Sequence, residues 1–97
     1  MNVVNIGLLQ AFSKRHNQAK THLTAWLKVA RQASWKHLMD VRQHYPGTDG
    51  GVKGVYTMFN IKGNSYRLIT LIQYPTQTVA ITYVFTHAEY DRWSKSL

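Results

Sequence analysis

The chain has 97 residues, enough for one domain expected to span 1–97, and its 44% hydrophobic content supports a modest core. It contains no cysteine, which excludes disulfides and thiolate sites. Twelve Lys and Arg against four Asp and Glu give a formal net charge of +8, and so basic a small domain points to a polyanionic partner such as nucleic acid, the ribosome, an acidic protein or an anionic membrane.

Val3 and Val4 predict a short opening strand. Asn5 is expected to cap a first helix, in which Leu8, Leu9 and Phe12 recur at helical spacing. Asn17 is expected to cap a second, where Ala19, Leu23, Trp26, Leu27 and Ala30 form one stripe away from Lys20, Lys28 and Arg31. Trp35, Leu38 and Val41 predict a short helix or turn, and Tyr45 through Gly51 a loop. Strands follow at Val55–Ile61, Ser65–Tyr74 and Thr78–Phe85, separated by turns at Lys62-Gly63-Asn64 and Pro75-Thr76-Gln77. Such short connections imply an antiparallel meander, covered on one face by the helices. No apolar run approaches the ~18 residues of a transmembrane helix, and Asn2, Asn5 and Gly7 interrupt the N-terminal apolar residues, so a cytoplasmic protein is expected.

Two residues stand out chemically. After the last strand, Thr86 and Glu89 have capping-box spacing, with Phe85 and Tyr90 at the positions of a hydrophobic staple; these explain the start of a C-terminal helix. His87 is not needed for that cap. It would stand beside backbone N–H groups disposed to hold a phosphate, where an imidazole serves as acid or base, or it is simply an exposed histidine. Arg67 shares a strand face with Ile69 and Leu71, where a charge needs a partner or an open cleft. A structural ion pair is one solution; with so few acids, a guanidinium facing a phosphate is the other. Lys53 and Lys62 flank the first long strand and are placed in the same groove as weaker candidates. Tyr66, Tyr74, Tyr83 and Trp93 are either base-stacking or ordinary sheet aromatics.

No glycine-rich phosphate loop lies between a strand and a helix, and the five histidines show no metal-ligand spacing. With four carboxylates, a magnesium-dependent nuclease is not expected. A nuclease here would be metal-independent, using the RNA 2′-hydroxyl as nucleophile, with no cofactor.

The run Phe59-Asn60-Ile61-Lys62-Gly63-Asn64-Ser65-Tyr66-Arg67-Leu68-Ile69, followed by Tyr83-Val84-Phe85-Thr86-His87-Ala88-Glu89-Tyr90-Asp91, resembles the HigB toxins of the RelE/ParE superfamily. The resemblance implies an α+β fold: two N-terminal helices packed on a small antiparallel β-sheet with a short C-terminal helix. It implies a toxin that cleaves mRNA, often on the ribosome, and is neutralised by a HigA-type antitoxin with a helix-turn-helix domain. Arg67 then corresponds to the strand arginine that contacts the scissile phosphate. His87 resembles a catalytic histidine, and Tyr90 lies near the C-terminal tyrosine or phenylalanine of relatives. Lys53, Lys62 and Arg92 would hold the RNA backbone. RelE itself uses further basic residues around the last strand, where this chain has only Arg92. ParE toxins share the fold and inhibit DNA gyrase instead, so a non-enzymatic inhibitor and a plain basic RNA-binding module are the alternatives.

Overall fold

Apolar spacing in the first third of the chain builds two helices. In the computed structural model, which describes residues 1–96, these are α1 (Gly7–Arg15) and α2 (Lys20–Gln32). α1 buries Leu9 and Phe12, and α2 buries Leu23, Trp26 and Ala30. Neither expected asparagine cap forms. Asn5 adopts a left-handed backbone (φ 67°), and its side-chain amide donates to Ile81 O at 3.1 Å, so it ties the chain to the sheet instead of capping α1. Asn17 opens a 3-10 turn, Asn17–Ala19, and gives no side-chain cap. A third helix, α3 (Leu38–His44), follows, and Trp35 precedes it as a core residue whose indole donates to His44 Nδ1 at 2.9 Å.

The sheet is larger than the expected meander. It has five strands in the order β1-β5-β4-β3-β2, comprising β1 (Asn2–Val4), β2 (Asp49–Val52), β3 (Tyr56–Ile61), β4 (Tyr66–Gln73) and β5 (Thr78–Thr86). β2 to β5 are antiparallel, while β1 runs parallel to β5, so the sheet is mixed. The glycine-rich stretch expected to be all loop contributes β2, a short bulged edge strand: as an edge it needs only one neighbour's hydrogen bonds and tolerates glycine. The turn between β3 and β4 matches its sequence signal, with Lys62 and Gly63 consecutively left-handed (φ 53° and 61°).

A bulge in β5 assigns the two faces. Ile69 pairs with Tyr83 and Thr70 with Ile81, which leaves Thr82 as the extra residue. Val79 and Ile81 before it, and Val84 after it, point to the helical layer. Tyr83 and Phe85, which would otherwise share a face with Ile81, are turned to the opposite side. On the helical side Phe59, fully buried, is surrounded by the rings of Trp26, Trp35 and Tyr45 at 5.2, 6.0 and 5.5 Å. On the other side Val52, Met58 and Ile69 form a second, smaller core, closed by α4 (His87–Lys95) through Tyr90 and Trp93.

Candidate active site

Arg67 lies mid-sheet on the face turned away from α1 and α2, opposite Asn60 on β3 and Phe85 on β5. It is only 8% exposed. Its Nη1 donates to the carbonyls of Asn64 (3.0 Å) and Tyr66 (3.3 Å), and its Cζ stands 5.6 Å from the centre of the Tyr90 ring. Among the described residues no carboxylate pairs with it. Among the described residues the ion pairs are His37–Asp40 and His87–Asp91, and neither involves Lys or Arg. Among the described residues the only wholly buried, unpartnered side-chain polar atom is Trp26 Nε1, so the remaining guanidinium N–H groups, which make no hydrogen bond, keep some access to solvent. A desolvated guanidinium with free N–H groups and no counter-charge is a fixed site for an oxyanion.

α4 is set in place by its cap. Thr86 Oγ1 accepts from the Glu89 N–H at 3.2 Å, and Glu89 Oε1 accepts from the Thr86 N–H at 2.8 Å. That backbone hydrogen bond is the main reason the Glu89 carboxyl titrates below its usual range, with Arg15 and His16 adding to the effect. The His87 N–H donates to Ser65 O at 3.1 Å and ties the first turn of α4 to the start of β4. His87 therefore begins the helix that carries Tyr90 over Arg67. Its side chain is half exposed, and its Nδ1 is 3.7 Å from Asp91 Oδ2, within ion-pair reach but outside hydrogen-bond distance. The Tyr90 hydroxyl titrates above its ordinary range, chiefly through burial, with Asp49 and Asp91 adding to the rise and Arg67 opposing it. It stays protonated at neutral pH, which makes it a donor and a stacking surface but not a base.

The structure brings Arg67 and Tyr90 into contact and places His87 one helical turn before Tyr90. The two lysines do not converge. Lys53, at the end of β3 nearer the C-terminus of α4, bonds Ser96 O and Oγ at 3.0 and 2.9 Å and lies over the Trp93 ring at 4.5 Å. Lys62, at the other end of β3, donates to Gln18 Oε1 at 2.8 Å, toward the helical layer. Arg92 is exposed in the last turn of α4. Of the four candidate stacking aromatics, Tyr66 and Tyr74 pack into the helical-side core. Tyr83 and Trp93 join Tyr56, Phe85 and Tyr90 in a partly exposed aromatic strip beside Arg67. Asp91 as the partner of His87 was legible only as an i,i+4 spacing on the predicted helix. The carbonyls that hold Arg67 have no sequence signal.

No helix among the described residues is long and apolar enough to cross a membrane. Residues 19–93 match the HigB_toxin family, described as the RelE-like toxic component of a toxin-antitoxin system. The chain is also 25% identical over 92 residues to the mRNA interferase toxin HigB of Escherichia coli K12, covering 94% of this chain and 88% of that protein. It is equally similar to the mRNA interferase HigB of Shigella flexneri, with the same coverage. The fold, the capped C-terminal helix over a strand arginine and the extent of the match agree: the chain belongs to the HigB toxin family, the RelE-like toxic component of toxin–antitoxin systems.

Proposed function

We propose that the chain, acting as one domain over 1–97, is an endoribonuclease that cleaves mRNA on the ribosome and is neutralised by a HigA-type helix-turn-helix antitoxin. The relatives' names point to mRNA as substrate. The observation that carries the chemistry is Arg67, a buried guanidinium with N–H groups left without a hydrogen bond and no carboxylate partner among the described residues.

In this reading the RNA 2′-hydroxyl attacks the adjacent phosphorus. The O2′–P bond forms and the P–O5′ bond breaks, leaving a 2′,3′-cyclic phosphate and a 5′-hydroxyl. Arg67 stabilises the charge that builds on the non-bridging oxygens, as a cation already fixed in place before reaction. His87 exchanges a proton with O2′ or with the leaving O5′, and Asp91 offsets its charge when protonated. Tyr90 positions the RNA against Arg67. Lys53, Lys62 and Arg92 contribute to holding the backbone, and no metal or other cofactor takes part.

Separate Arg67→Ala and His87→Ala variants test the assignment, each checked for native circular dichroism. We expect each to lose about a hundredfold or more in mRNA cleavage on translating ribosomes. If both folded variants still cleave and still arrest growth, the assignment is wrong. A DNA supercoiling assay beside the cleavage assay separates a gyrase inhibitor.

A further inference from the structure

The sheet face that carries Arg67 also carries aromatic surface that its core does not bury. Rings lead away from the guanidinium one after another. Tyr90 lies 5.6 Å from Arg67 Cζ, Trp93 6.0 Å from Tyr90, and Tyr83 5.3 Å from Trp93. Tyr56 closes the run, 6.3 Å from Tyr83 and 5.4 Å from Trp93. Tyr56, Phe85, Tyr90 and Trp93 pack against Val52, Met58 and Ile69. Tyr83 is the outer ring: it stacks on Phe85 at 5.1 Å and 15°, yet remains 38% exposed. The bulge at Thr82 builds in that exposure, since strict alternation would set Tyr83 with Ile81, which is fully buried. A cluster of rings turned to water beside a reactive cation marks a binding surface.

We propose that Tyr83, with Trp93 and Tyr56 around it, is a subsite for an unpaired base of the nucleotide adjoining the scissile phosphate. Tyr83 stands two residues along β5 from Phe85, the cross-strand partner of Arg67, a separation of about 7 Å. A base stacked there therefore belongs to a neighbour of the nucleotide whose phosphate Arg67 holds. Cations stand at both ends of the rings: Arg67 beside Tyr90, and Lys53 Nζ 4.5 Å over Trp93, so phosphates on either side of the stacked base meet positive charge. Every base has a π face, so the subsite holds a base without identifying it. It is separate from Tyr90, which lies over Arg67 itself. The inference rests on RNA being the substrate and uses neither the role of Arg67 in the chemistry nor that of His87.

The test measures binding of the full chain to two uncleavable probes of equal length and charge: a short 2′-O-methyl oligouridylate and the same backbone without bases. Wild type should prefer the probe that carries bases. Tyr83→Leu, which keeps apolar bulk and removes the π face, should reduce that preference by about fivefold or more, and Tyr83→Phe should keep it within about threefold. A preference unchanged in Tyr83→Leu, or lost equally in Tyr83→Phe, overturns the proposal. So does a Tyr83→Leu chain that keeps its preference for bases and instead loses affinity for the antitoxin, which makes the strip a protein interface. Tryptophan fluorescence of the wild type is the second readout and needs no variant. Trp26 and Trp35 are buried, so a change on binding reports Trp93. Quenching by the base-carrying probe at saturation, and not by the abasic one, is expected; equal quenching by both, or by neither, contradicts the subsite. Neither probe is cut, so failure here leaves the ribonuclease assignment standing, and a chain that stacks bases but cleaves no RNA fails that assignment alone.

Discussion

At the scale of single residues, everything turns on Arg67. Its placement was legible: alternation with Ile69 put it on a defined face, and the shortage of acids argued against an ion pair. What the sequence could not show is how it is held, because the Asn64 and Tyr66 carbonyls are set by the turn after β3 and not by side-chain identity. Lys53 and Lys62 show the converse. They bracket a strand and look adjacent on paper, yet a strand extends about 3.3 Å per residue, so residues at its two ends point to different neighbours. Tyr90 supports a sharper expectation. Its ring centre lies 5.6 Å from the guanidinium carbon, and its hydroxyl, which burial keeps protonated, cannot serve as a base. Tyr90→Phe should therefore keep cleavage within about threefold of wild type, whereas Tyr90→Ala should lose about 1–3 kcal/mol of transition-state binding in kcat/KM. A Phe variant as damaged as the Ala variant would show that the hydroxyl is chemically required.

At the scale of elements, local signals succeeded and long-range ones did not. The capping box of α4 is written in Thr86 and Glu89, three residues apart, and forms as expected. The helix stripes of α1 and α2 face the core as their spacing requires. The parallel pairing of β1 with β5 joins Asn2–Val4 to residues more than seventy positions away, and no local pattern encodes it. Asn5 was misread for the same reason, since its partner, Ile81 O, is equally remote. The bulge at Thr82 breaks an alternation that would otherwise bury Tyr83 with Ile81. For α4 the expected energetics follow from the cap. Thr86→Ala should destabilise the fold by about 1 kcal/mol in urea denaturation. The Glu89 carboxyl is held below its usual range, so its contribution is full above the unfolded-state pKa of about 4.3 and is lost as pH falls through the folded-state value. The gap in stability between wild type and Glu89→Gln should therefore narrow on acidification below about pH 4.3 and stay constant near neutrality.

At the scale of the molecule, the sheet separates two different surfaces. One face holds Arg67, Tyr90 and the aromatic strip, and the other carries the helices, in a segment, 1–48, with seven Lys and Arg against one acid, Asp40. A net charge of +8 makes binding to RNA depend on salt, because each phosphate contact releases counterions. For single-stranded RNA, Arg92→Gln should reduce the slope of log K against log salt by about 0.7 if Arg92 meets a phosphate, and an unchanged slope removes it from the interface. The central claim is that Arg67 stabilises attack by the 2′-hydroxyl, and the ends of the RNA fragments report on it most directly. Wild-type cleavage on ribosomes should leave 2′,3′-cyclic phosphate and 5′-hydroxyl ends, formed about a hundredfold more slowly by Arg67→Ala. Fragments with 5′-phosphate ends, or an Arg67→Ala variant that cleaves at the wild-type rate, would contradict it.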